Sequence, residues 1–148
     1  DEFARSVDLT SNAWAYHGLA CLYLKSDPEK AKQFIMEGMA LQRERLSYQK
    51  EGFKILEKCG AYKEIDEEYK KQTAENQKNG RIQYYYVAAL EKLERNEEAY
   101  HLLNDGDGID VSDIREGDSD IQSIWESLHE KVYGEKGHLP HYYNFKVN

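Results

Sequence analysis

Apolar residues recur along this chain at two periods at once. Within segments they fall three and four apart, the spacing of one face of an α-helix. Between segments they repeat every thirty-four residues, without a gap. Ala31, Ile65 and Ala99 form one column, Leu22, Leu56 and Leu90 a second, and Leu19, Phe53 and Val87 a third. A fixed period of this size marks a repeat protein, in which each unit buries its apolar face on its neighbours.

The segments read in order as helix pairs. Residues 1–10, with Phe3, Val7 and Leu9, are expected to finish a preceding element, and Ser11 or Asn12 to cap a new helix. In that helix Trp14, Ala15, Gly18, Leu19, Leu22 and Tyr23 form the predicted inward stripe. Asp27-Pro28-Glu29 restarts the chain, because Asp27 can accept from orphan amides and Pro28 loses nothing at the first helical position. The next helix puts Ala31, Phe34, Ile35, Gly38 and Leu41 on one face and is expected to end near Arg45. The second pair, 46–78, has an A helix from Leu46 to Cys59 that turns Phe53, Ile55 and Leu56 inward and is closed by Gly60. Its B helix, from Tyr62 to about Asn76, uses Ile65 and Tyr69 and is otherwise polar, so it is expected on the outside. Asn79-Gly80 breaks the pattern. The third pair, 79–104, carries Tyr84-Tyr85-Tyr86-Val87, Leu90 and Leu93, followed by a short helix from Glu97 to Leu103.

Residues 105–118 read as an acidic loop. Ser119 then opens a helix over 119–134, with Gln122 as its capping-box partner. Ile121, Ile124, Trp125, Leu128 and Val132 share one face, while the other face is polar. That division suits the terminal, capping element of a repeat stack. Residues 135–148 form an aromatic-rich tail, which is expected to fold back onto the last helices or onto another domain.

A helix–turn–helix unit of thirty-four residues resembles the tetratricopeptide repeat. Ala31, Ile35 and Gly38 match that family's small–aromatic–small pattern in helix B, with Ile35 at the aromatic position. Gly18, Gly52 and Tyr86, beside the Leu19, Phe53, Val87 column, match its helix A crossing imperfectly, and Ile65, Tyr69 and Gln72 are a degenerate second copy. The resemblance covers residues 11–104. It implies an all-α solenoid, a right-handed superhelix of antiparallel helix pairs. A second likeness lies in Asn104-Asp105, Gly108-Ile109-Asp110-Val111, Asp113-Ile114-Arg115-Glu116-Gly117-Asp118, the Trp125 helix, and Leu139-Pro140 with Tyr143-Asn144-Phe145-Lys146-Val147. These resemble the end of long bacterial proteins that join an uncharacterised β-rich domain to a tetratricopeptide array. That likeness implies a fragment of a multidomain protein, as does the opening Asp-Glu-Phe without an initiator Met, and it hints at carbohydrate metabolism.

The family register assigns a concave groove to the A helices. Its positions are Tyr16, His17, Ala20 and Tyr23 in the first pair and Ser47, Lys50, Glu51, Lys54 and Lys58 in the second. In the third they are Arg81, Tyr84, Tyr85, Ala88 and Lys92. Aromatic rings flanked by cations suit an extended peptide bearing carboxylates. The expected function is therefore non-catalytic binding of a protein or peptide. The alternative is a structural segment that docks or oligomerises a β-rich domain of the same chain. The family's carboxylate clamp for chaperone tails is ruled out, because its positions read Tyr16, Ala20, Glu51, Arg81 and Tyr85, of which only Arg81 is cationic.

Charge sharpens this picture. The net charge is −8, and residues 104–120 hold seven acids against Arg115 alone, so most of the excess sits in one loop. That balance argues against nucleic acid as a partner. No apolar run approaches the ~20 residues a membrane span needs, and with no signal-peptide pattern the expected location is the cytoplasm. The loop invites comparison with a calcium-binding EF-hand. With Asp107 and Gly108 at its fifth and sixth positions, however, Leu103 falls first and Ile114 twelfth; with Asp105 first, Asp110 falls where Gly is required. Cys21 and Cys59 read as reduced, buried thiols, and no zinc-site spacing is present. His138 and His141 are separated by Pro140, which prevents one helical face from carrying both. His17, His101 and His129 lack sequence partners. No catalytic, phosphate-binding or cofactor motif appears.

Overall fold

The structure, a computed structural model, describes residues 2–106, 108–112, 121–135 and 137. The tail beyond 137, the acidic stretch 113–120 and the Ser119 cap lie outside the described residues. Among the described residues the chain is all-helical, with no strand, and it divides into two units, residues 1–73 and 74–148. The division falls inside the segment 46–78 expected to form one helix pair.

The first unit contains α1 (Glu2–Tyr23), α2 (Pro28–Leu41), α3 (Leu46–Lys58) and α4 (Tyr62–Lys70). Each helix packs on the next, and α3 also touches α1. Helix α1 runs unbroken through Ser11 and Asn12, so neither opens a new helix. Asp27 caps α2 as its sequence position suggests, with Oδ1 accepting from the Lys30 amide at 3.2 Å and Pro28 in the first turn. Helix α2 stops at Leu41, short of Arg45, which instead stands at the N-cap of α3.

The core of this unit is formed by Ala31, Ile35, Met39, Tyr48, Phe53, Leu56 and Ile65, all fully buried. Two glycines allow its helices to meet. A Cβ on Gly38 would overlap the Tyr48 hydroxyl, and one on Gly52 would strike the Met39 thioether. Tyr48 donates to the Ala13 carbonyl at 2.5 Å, tying α3 to α1, and burial pushes its phenol above the ordinary value.

Two expectations fail here for the same reason. Most of the stripe predicted to point inward from α1 points out: Leu22 is 71% exposed, Leu19 37% and Trp14 39%, while Tyr23 is half-buried and Ala13 and Ala20 are buried instead. Periodicity identifies an apolar face but not whether a neighbour covers it, and α1 packs chiefly on α2, with α3 beside it. Cys21, expected to be buried, is exposed, and Cys59 is half-buried.

Helix α4 departs from expectation as well. It ends at Lys70 rather than near Asn76, and two of its acids, Asp66 and Glu68, are buried. Arg43 donates to Glu68 Oε2 at 2.6 Å. Beside this pair Gln49, wholly buried, donates to the Met39 and Gln42 carbonyls at 3.1 and 2.7 Å, and Gln72 donates to Gln49 Oε1 at 2.8 Å. The last carbonyls of a helix have no partner within it. Gln49 supplies that partner to the end of α2.

The second unit contains α5 (Ala74–Gln77), α6 (Gly80–Lys92), α7 (Asn96–Asn104) and α8 (Ile121–Tyr133). Asn79 caps α6 through Oδ1, accepting from the Arg81 and Ile82 amides at 3.1 and 3.2 Å. Helix α8 lies on α7 and α6, burying Ile121, Trp125 and Leu128, and Trp125 donates to Asn104 Oδ1 at 2.9 Å. The start of the acidic loop is ordered by two apolar anchors, Ile109 and Val111, which are 4% and 5% exposed. Between them the Asp110 backbone passes directly over Gly80. The Asp110 carboxylate accepts from the Ser112 amide at 2.9 Å, which holds its pKa below the ordinary value.

The thirty-four-residue period survives in the backbone as well as in the core. At the end of α3 the amides of Gly60 and Ala61 donate to the Glu57 and Leu56 carbonyls. At the end of α6 the amides of Glu94 and Arg95 donate to the Glu91 and Leu90 carbonyls. Each is a Schellman turn, and each needs one left-handed residue: Gly60 at φ 68° and Glu94 at φ 62°. A side chain in that conformation costs about 1 kcal/mol. Glu94→Gly is therefore expected to raise the melting temperature by about 4 °C, measured by circular dichroism. The same change at exposed Lys92, inside α6, is expected to lower it.

Candidate functional site

Helices α1 and α3 bring together two residues thirty-four apart, both at positions the repeat register assigns to a groove. His17 Nε2 lies 3.5 Å from Glu51 Oε2. The imidazole is held from behind by edge contacts with Trp14, its centroid 5.1 Å away, and with Tyr48, at 6.3 Å. One turn further along α1, Cys21 Sγ stands 4.0 Å from both ring nitrogens of His17. A thiol–imidazole dyad needs one nitrogen lone pair directed at sulfur. A sulfur equidistant from both nitrogens does not meet that requirement. Among the described residues no group of three His, Cys, Asp or Glu side chains could hold a metal ion.

The remaining groove positions of the first unit divide between packing and solvent. Tyr16 and Tyr23 both lie against Phe34 of α2, with centroids 6.2 and 5.8 Å away, and Lys30 Nζ sits 4.5 Å over the Tyr23 ring. Ala20 is fully buried, beyond a ligand's reach. Ser47, Lys54 and Lys58 are exposed, and Lys50 and Glu51 are half-buried. In the second unit Arg81, Tyr84 and Ala88 are half-buried and Lys92 is exposed. Tyr84 meets Tyr85 edge-on at 5.6 Å, and Tyr85 is only 7% exposed, which leaves little ring for a ligand. Of the predicted positions, the exposed ammonium groups, His17 and the Tyr84 ring can meet a bound chain. Within each unit these groups offer charge and hydrogen bonds to a ligand.

Two polar features escape a reading by residue type. The first is the buried lock of Arg43, Glu68, Gln49 and Gln72. Its one trace in the sequence is the repeat column Phe34, Glu68, Leu102, where an acid stands at an otherwise apolar position. The second is Lys32. It lies 2.8 Å from Glu29 and 3.2 Å from Glu64, so it ties α2 to α4, and these carboxylates, Glu29 first, hold its ammonium above the ordinary pKa.

No family model, curated protein or solved structure matches this chain. No helix among the described residues is long and apolar enough to cross a membrane.

Proposed function

We propose that this chain is a tetratricopeptide-like module, its helix pairs stacked in a right-handed superhelix, that binds a protein or peptide through its A helices without catalysing a reaction. The observation that carries this reading is the pairing of His17 with Glu51 between neighbouring A helices at the repeat spacing. Side-by-side A helices form a continuous surface, and an extended peptide laid across them would meet His17 and then the exposed Lys54. With no partnered nucleophile, metal cluster or cofactor motif among the described residues, the surface is suited to recognition. Lysines on it favour a ligand rich in carboxylates.

The test is a fluorescence screen of the 148-residue chain against an array of extended acidic peptides. Lys54→Glu combined with Tyr84→Ala is expected to weaken the best ligand at least ~10-fold while the melting temperature holds. If no peptide binds at millimolar concentration, the reading fails. One observation favours the structural alternative, in which the module docks another domain of a larger bacterial protein. Tyr16, Tyr23 and Tyr85, the rings best placed to grip a peptide, are engaged in internal packing. Under that alternative the isolated chain binds no peptide.

A further inference from the structure

The outer face of α1 carries a stripe at alternating spacings of three and four: Asp8, Ser11, Ala15, Gly18 and Leu22, continued by Lys25 in the turn that closes the helix. Every one of these residues is exposed. Leu22, at 71%, is the most exposed large apolar side chain among the described residues, and Leu19 and Trp14 flank the stripe.

The equivalent face one repeat later shows what such a surface is shaped to receive. Gly52, thirty-four residues after Gly18, lies under Met39 of the neighbouring helix, and Phe53 and Leu56 beside it are fully buried. A Cβ at Gly18 would meet nothing within 4 Å. The first repeat therefore presents the same helix-packing surface with no helix on it among the described residues.

We propose that this face is covered by the same face of a second copy of the chain, with the two α1 helices antiparallel. The stripe is self-complementary about its midpoint, between Ala15 and Gly18. Reversed and laid on itself, it sets Ala15 against the partner's Gly18 and Ser11 against the partner's Leu22. Small residues at the crossing let two helix axes approach closely, and the larger Leu22 meets a small residue on either side. At each end Asp8 meets the partner's Lys25, and two-fold symmetry makes that charge match twice. Exposed ion pairs add little affinity, but they set register and orientation. A parallel alignment in register would oppose Asp8 to the partner's Asp8 and Lys25 to the partner's Lys25.

Sedimentation velocity on the 148-residue chain from about 1 to 200 µM tests this, since a single-helix interface belongs in the micromolar range. The expected species at the upper end has twice the 17.3 kDa chain mass. Leu22→Asp is expected to weaken association at least ~10-fold. Because Leu22 is largely in solvent, its melting curve at 1 µM should match that of the unaltered chain. Asp8→Lys and Lys25→Asp should each weaken the dimer, and the two together should restore it to within about threefold. A chain that stays monomeric at 200 µM overturns the proposal and leaves the face to a different helical partner. A dimer indifferent to Leu22→Asp, or a combined charge swap as weak as the single changes, also overturns it.

Discussion

Replacing Gly80 with alanine is expected to lower the melting temperature of the 74–148 unit by about 15 °C. Gly80 opens α6, and a Cβ there would fall onto the Asp110 backbone carbonyl. At Gly38 and Gly52 the obstructing atoms belong to side chains. At Gly80 the obstacle is main chain, which cannot change rotamer. The segment over Gly80 would have to lift, taking with it Ile109 and Val111, both almost fully buried. Exposing two such side chains costs about 3 kcal/mol or more, and in a unit of this size each kcal/mol moves the midpoint by ~4–8 °C. Thermal unfolding followed at 222 nm measures the shift. A loss under about 3 °C would mean that the loop does not rest on α6.

Arg43→Met is expected to destabilise the 1–73 unit by about 3 kcal/mol, more than most surface substitutions, although Arg43 is itself only half-buried. The cost arises at Glu68, which is 1% exposed and whose Oε2 accepts from Arg43 at 2.6 Å. Removing one partner of a buried pair leaves the other as an uncompensated charge, whereas replacing both with apolar groups is often close to neutral. Arg43→Met combined with Glu68→Leu should therefore recover most of the loss. Urea denaturation of both single variants and the double gives the coupling energy. Strict additivity would show that the pair contributes nothing as a pair.

Much of the local structure is written in the chain. The N-cap at Asp27, the left-handed Gly60 and the break at Asn79-Gly80 follow from residue chemistry that acts over a few positions. The column Ala31, Ile65, Ala99 is buried at all three members, and Phe53 with Val87 and Leu56 with Leu90 are buried in theirs. The candidate site is less legible. His17 and Glu51 share a repeat position, so their approach follows from the register. That Tyr16 and Tyr23 both spend their rings on Phe34, and that Tyr85 is buried, depends on side-chain packing, which a position within a repeat does not specify.

Glu94 shows how far the repeat overrides residue type. It adopts the left-handed conformation that its counterpart Gly60 takes without cost, because the turn closing α6 makes the same two hydrogen bonds as the turn closing α3. Glu68 shows the reverse. The repeat asks for an apolar group, the chain supplies an acid, and Arg43 from a neighbouring segment makes it tolerable.

By itself the sequence determined that the chain is helical, that its helices come at a thirty-four-residue period, and where several begin and end, because helix periodicity, capping and turn chemistry are local. Only the tertiary structure decided which of the apolar faces are covered. Leu56 and Leu90 are buried and Leu22 stands in solvent, although all three occupy one column. Burial belongs to a residue and its neighbours together, and no neighbour can be read from the residue alone.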